Sequence, residues 1–272
     1  MAGRFVVVAL VAVALASPAA ASASALIDRN AFEVRLAVNE GGEALVTYRA
    51  GGRERRVLAS GAIDALAPTP GALQVRFTLD YSGRPRRFRN RCAPYDGPAL
   101  AWLVTACRAP DGSLWAVQSW QRTLPNHGMP PTAEQASWEL RLSHWSWPLP
   151  VLELLPGSPR WGFPRLTGRL TYAGRAVHGY SSTPTGVPLD GFGRNVYLDT
   201  LNAAYGPGWH RENAFLTHVG SGAFCYGLVP RGVRPSGTGE RYRATAIGPG
   251  VLPDVVAYSE PGAPAEQTFC AA

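Results

Sequence analysis

His210 and Glu212 stand two positions apart, and His218 follows in the same stretch. On an extended strand His210 and Glu212 face the same way, which suits an acid–base pair or two ligands of one metal. No zinc-binding spacing surrounds them, and a Gly/Pro-rich loop with polar residues gives the same pattern by chance. These three are therefore the catalytic candidates of an alternative reading only. A denser feature is the run Arg84, Arg86, Arg87, Arg89 and Arg91, interleaved by Phe88. Closely spaced guanidiniums can grip carboxylate or phosphate polymers. The same run also suits a solvated turn. Trp145 and Trp147 share one face of an extended segment. If Trp138, Leu140 and Leu142 point inward, parity turns Trp145 and Trp147 outward, where indoles stack on sugars; the opposing reading buries them as core. An intervening bulge would break the parity.

Four cysteines stand at Cys92, Cys107, Cys225 and Cys270. An even count in an exported chain predicts two disulfides, with three pairings open. Cys92–Cys107 and Cys225–Cys270 are favoured because each pair lies within one half of the chain. A nucleophilic Cys225 would leave the other three with an odd thiol. The Cys spacing matches no zinc site, and no metal or cofactor is expected. There is no Gly-x-Ser-x-Gly elbow, no His-Glu-x-x-His, no P-loop and no EF-hand loop. Gly191-Phe192-Gly193 opens like a dinucleotide fingerprint, but Val196 stands where its third Gly belongs.

The export expectation comes from the first residues. Met1 to Arg4 is cationic at Arg4, Phe5 to Ala16 is an apolar run of 12 residues, and Ala21-Ser22-Ala23 and Ala23-Ser24-Ala25 are small-residue sites. This pattern predicts a signal peptide over 1–25, cleaved between Ala23 and Leu26, and a secreted product in an oxidising compartment. The apolar run is short of the roughly 20 residues that span a bilayer, so no transmembrane anchor is expected after cleavage. Export also argues against intracellular nucleic acid as a partner. The charge is +7 and every one of the 26 cations is Arg.

With 30 Gly and 24 Pro the chain is rich in helix breakers, and period-two alternation recurs throughout. Phe32, Val34, Leu36 and Val38 alternate, as do Leu73, Val75, Phe77, Leu79 and Tyr81. Gly51-Gly52 and Asp111-Gly112 are turn chemistry. Thr200 to Tyr205 reads as a short helix stopped by Gly206 and Pro207. Pro156-Gly157-Ser158-Pro159 reads as a boundary. The fold class expected is all-β, a β-sandwich built from two packed β-rich units, 26–158 and 159–272.

The second unit has a family likeness. Gly168, Gly174, Val177 and Gly179 match the opening hairpin of the carboxypeptidase-regulatory or transthyretin-like β-sandwich, and Phe224, Tyr242 and Pro249-Gly250 match its later strands. Ala176 replaces the usual Pro, and a long insert holds Trp209 to Phe215. The C-terminal unit thus resembles that family, whose members are mostly non-catalytic accessories that brace or bind. The whole chain resembles a family of uncharacterised secreted actinobacterial proteins, a likeness that implies no activity. Together these features predict a non-enzymatic secreted protein that binds or braces an extracellular or cell-envelope glycan or anionic polymer. The alternative is a secreted hydrolase acting on polysaccharide or cell wall.

Overall fold

The computed structural model describes residues 24–67, 74–83, 87–121, 132–133, 136–146, 148–155, 165–177, 196–203, 206–212, 214–219, 223–228 and 239–261. These residues are all-β, with no helix among them. The first strands are β1 (Ala25–Arg29), β2 (Phe32–Val38), β3 (Ala44–Ala50), β4 (Arg53–Ser60), β5 (Thr78–Asp80) and β6 (Ala93–Pro94). The middle strands are β7 (Leu103–Arg108), β8 (Leu114–Trp120), β9 (Glu139–Trp145), β10 (Val151–Leu155), β11 (Arg165–Tyr172) and β12 (Arg175–Ala176). The last are β13 (Val196–Leu201), β14 (Trp209–Arg211), β15 (Ala214–Val219), β16 (Ala223–Leu228), β17 (Arg241–Ala246) and β18 (Val255–Tyr258).

All pairings are antiparallel, and the strands form four sheets. The order is β1-β9-β8-β7-β6 in a central sheet and β2-β3-β4-β5 in an outer one. The remaining two sheets run β14-β13-β17-β18 and β10-β11-β16-β15, the latter with β12 beside β11. Local chemistry sets the registers. Ala50 pairs with Arg53 around Gly51-Gly52, whose φ angles of 56° and 75° are those of a two-residue hairpin turn. In β3, Ala44, Val46, Tyr48 and Ala50 are buried while Arg49 points to solvent.

The central sheet is covered on both faces. One face, with Trp115, Val117, Leu140 and Leu142, packs on Val38, Val46, Tyr48 and Val57 of the outer sheet. The other face, with Leu114, Ala116 and Trp145, joins a core containing Leu166, Leu170, Phe224, Leu198, Tyr242 and Ala244 of the last two sheets. Every residue of β9 is consequently buried. This overturns the outward placement of Trp145, which is 1% exposed and edge-on to Tyr95 at 6.3 Å. Parity assigns an outward face only where a sheet has one wet side, and this sheet has none. Trp138 precedes β9 and is 47% exposed, the reverse of its expected inward position. Trp147 lies outside the described residues.

The helix expected at Thr200 is not formed: Thr200 and Leu201 continue β13, and Asn202 turns the chain with φ 50° while its Oδ1 accepts the Gly208 N–H at 2.8 Å. Strands β10 and β11 pair along their length on either side of the 158/159 boundary, from Val151 opposite Thr171 to Leu155 opposite Thr167. Among the described residues, no helix is long and apolar enough to cross a membrane.

Candidate functional site

The outer face of the β14-β13-β17-β18 sheet is built by strand alternation. Leu198, Tyr242, Ala244 and Ala257 point into the core. Their neighbours Tyr197, Asp199, Arg211, Arg241, Arg243 and Tyr258 therefore share the opposite face. Register brings them together: Asp199 lies opposite both Arg211 and Arg243, and Arg243 lies opposite Tyr258.

Asp199 is fully buried and holds two guanidiniums. Arg211 Nε donates to its Oδ1 at 2.6 Å, and Arg243 Nη2 and Nε donate to its Oδ2 at 2.9 and 3.1 Å. The guanidiniums are also stacked on rings. Arg211 lies over Tyr197 at 4.7 Å, and Arg243 lies between Trp102 at 5.4 Å and Trp209 at 4.5 Å. Trp102 stacks on Trp120 at 5.1 Å, and Trp120 meets Tyr197 edge-on at 5.9 Å. The contacts close a circuit: Trp102, Trp120, Tyr197, Arg211, Asp199, Arg243 and back to Trp102. Trp102 enters it from a left-handed backbone, φ 52°, a conformation that costs a bulky residue about 1–3 kcal/mol and is held only by its surroundings. Its carbonyl accepts the Ser119 N–H at 3.0 Å.

The circuit runs out to solvent at one end. Trp209 meets Tyr258 edge-on at 5.9 Å, and Arg241 lies over the Tyr258 ring at 4.8 Å while donating through Nε to the Ser259 carbonyl at 2.8 Å. Tyr258 is 45% exposed. It also lines a groove of about 560 Å³ walled by Leu100, Leu149, Val151, Leu152 and Val255. A pinned aromatic ring, a guanidinium beside it and an apolar trough form a site suited to a chain with C–H faces and acidic groups.

The sequence candidates fall elsewhere. His210 on β14 places its ring on the other side from Arg211, with Nε2 2.8 Å from the Pro207 carbonyl. Glu212 is buried, and its N–H donates to the Leu198 carbonyl at 2.9 Å. His218 lies on β15, in a different sheet, opposite Phe224 of β16. Among the described residues, no three His, Cys, Asp or Glu side chains group as metal ligands. Arg84 and Arg86 lie outside the described residues, while Arg87 and Arg89 are exposed. Arg91 pairs with Glu40 at 3.2 Å, and its N–H donates to the Val38 carbonyl at 2.7 Å. The Cys92–Cys107 disulfide is formed, with Cα atoms 5.4 Å apart. The second expected pair needs Cys270, which lies outside the described residues.

One constellation escaped the sequence reading. Ser113 Oγ is 2.8 Å from His144 Nε2 and 2.6 Å from Asp111 Oδ1. His144 Nδ1 is 2.6 Å from the Ala62 carbonyl. A carbonyl only accepts, so in the neutral ring Nδ1 carries the proton, while the Asp111 carboxylate and the bare Nε2 share the single proton of the Ser113 hydroxyl. Burial holds the imidazole below its ordinary range, against the pull of the Ala62 carbonyl and the Asp111 and Asp64 carboxylates. Burial pushes Asp111 up, but hydrogen bonds from Ser113 hold its carboxyl below the usual range. A Ser–His contact is nucleophile–base geometry. Here Ser113 is 2% and His144 7% exposed, and the imidazole is stacked on Trp115 at 3.9 Å. The pair is sealed, and it fastens the 62–64 segment to the central sheet.

No protein-family model, curated protein or solved structure matches the chain.

Proposed function

We propose that this is a secreted, non-catalytic β-sandwich protein that binds an anionic glycan of the cell envelope along the Tyr258 groove. The observation that supports this most is the fixed Tyr258–Arg241–Trp209 end of the guanidinium–aromatic face, open to solvent and continuous with an apolar trough. Tyr258 offers a ring to the C–H face of a sugar, and Arg241 offers a charge to a neighbouring carboxylate or sulfate. Because both are held by intramolecular contacts, little freedom is lost on binding. The net charge of +7 favours encounter with a polyanion. The exposed Arg87 and Arg89 offer a second, looser contact. The hydrolase alternative has weaker support: His210, Glu212 and His218 are spread over two sheets, and the Ser113–His144 pair is closed to solvent.

Retention of purified protein on immobilised heparin, alginate and a neutral β-glucan tests this reading. The expected result is retention on the two polyanions and loss of at least about tenfold in affinity for Tyr258→Ala and Arg241→Ala, the scale of one lost charge-assisted contact. Equal binding by wild type and both variants, or preference for the neutral glucan, would overturn it. A parallel Arg87→Ser/Arg89→Ser variant reports on the basic turn.

A further inference from the structure

The Tyr258 groove is lined by the outer edges of two sheets. β18 ends the β14-β13-β17-β18 sheet, and β10 ends the β10-β11-β16-β15 sheet. β10 contributes Val151 and Leu152 to the groove, and β18 contributes Val255, Val256 and Tyr258. The direction of their backbone groups follows from the ladders. The Ser259 N–H donates to the Tyr242 carbonyl at 2.9 Å, so Ser259 faces β17. Alternation then turns Ala257 and Val255 toward β17, and Val256 and Tyr258 away from it. In the other sheet, the Leu170 carbonyl accepts from the Val177 N–H at 2.8 Å and so faces away from β10. Its register partner Leu152 therefore aims its own N–H and C=O away from β11. Among the described residues, no further strand pairs with either edge.

An open backbone edge favours a ligand that both donates and accepts, because its carbonyls need donors and its amides need acceptors. Sugar hydroxyls do both, whereas sulfate esters only accept. Charge points the same way. Among the described residues, the groove lining holds no cation. Arg241 supplies its guanidinium from over the Tyr258 ring, with Nε already donating to the Ser259 carbonyl. Asp254 also lines the groove, but its carboxyl is buried and accepts from Trp120 Nε1 at 2.7 Å and the Gly248 N–H at 3.0 Å. A chain with several sulfates per sugar would set most of its charge against Leu100, Leu149 and Val151, where nothing offsets the lost hydration. A chain with one carboxylate per sugar avoids that cost.

We propose that the ligand is an unbranched polyuronate with free hydroxyls, lying along these two strand edges. A carboxylate meets Arg241, hydroxyls meet the outward backbone groups of Val256 and Tyr258, and a C–H face covers the Tyr258 ring. This rests on the glycan-binding reading of the groove and narrows its ligand. A polypeptide is the other class that adds to strand edges. β18 is only four residues long and turns two of them outward, which makes it a poor template for a strand ladder.

The test titrates three probes into the purified protein at physiological salt: an alginate oligosaccharide, the same oligosaccharide after O-sulfation, and a poly-glutamate peptide of equal charge. Sulfation should weaken binding at least about tenfold, the scale of one or two unmade hydrogen bonds. Equal or tighter binding of the sulfated form overturns the inference and leaves the glycan reading intact. Tighter binding of the peptide, lost in Tyr258→Ala, overturns both in favour of strand addition. Absence of binding by either saccharide also overturns both. Two variants read the groove directly. Val256→Pro removes an outward N–H and spares the β17 ladder, so alginate affinity should fall several-fold with the melting temperature kept. Val151→Arg, at a position 51% exposed, adds a cation to the trough and should shift preference toward the sulfated form. Unchanged selectivity in Val151→Arg overturns the charge argument whether or not Val256→Pro folds.

Discussion

His144 shows how much one side chain can say about its surroundings. Its proton is fixed on Nδ1 by the Ala62 carbonyl, and its other nitrogen is met by Ser113. Burial depresses its pKa in the folded protein, while the unfolded chain keeps the ordinary value of 6.5. The unfolded state therefore binds the proton more readily. The His144 contribution is fully present above pH 6.5 and is lost as pH falls below it toward the folded pKa. Urea unfolding between pH 7 and pH 5 should show stability falling by at most about 1.4 kcal/mol per pH unit from this group, the limit for one proton. His144→Gln should remove that part of the slope. A stability that rises on acidification through this range would contradict the assignment.

At the level of strands, Gly168 is the position where backbone geometry constrains the sequence most. It lies on β11 between Leu154 of β10 and Phe224 of β16. A Cβ there would run into the Phe224 ring and the Glu153 carbonyl. Gly168→Ala should cost about 1–3 kcal/mol by forcing the ring or the strand aside. Chemical denaturation measures this, and a further substitution Phe224→Leu should restore part of the loss. The strands themselves were partly legible: alternation located β2 and, at the end of a longer expected strand, β5, and the Gly51-Gly52 turn located the β3–β4 hairpin. Alternation also misled, because it presumes that each sheet has a wet side. That assumption turned Trp145 outward when its ring is core. The helix expected at Thr200 failed for a different reason: pairing with Tyr242 on β17 overrides a weak local preference.

Taken as a molecule, the chain is layered around one sheet, with two cores on its opposite faces. Native-state amide exchange should find β8 and β9 slowest, at the free energy of global unfolding, with β5 and β18 opening earlier. Exchange in β9 as fast as in β18 would refute the layered account. The candidate site was hidden at this scale. Trp102, Trp120, Tyr197, Asp199, Arg211 and Arg243 come from five separate segments, and only the tertiary fold makes them neighbours. The visible hints were the spacings Trp209-x-Arg211 and Arg241-x-Arg243, which put like-facing groups on two strands. The Arg84–Arg91 run is conspicuous in the sequence because its members lie close along the chain.

A sheet wetted on neither face constrains sequence drift. In an ordinary amphipathic strand every second position is free to wander among polar residues. Along Leu114–Gln118 and Glu139–Trp145 that freedom is missing, since Gln118, Arg141 and Ser143 are buried alongside Trp115 and Leu142. A saturation scan of the two segments should return an unbroken band of intolerance, without the two-residue rhythm that marks most strands.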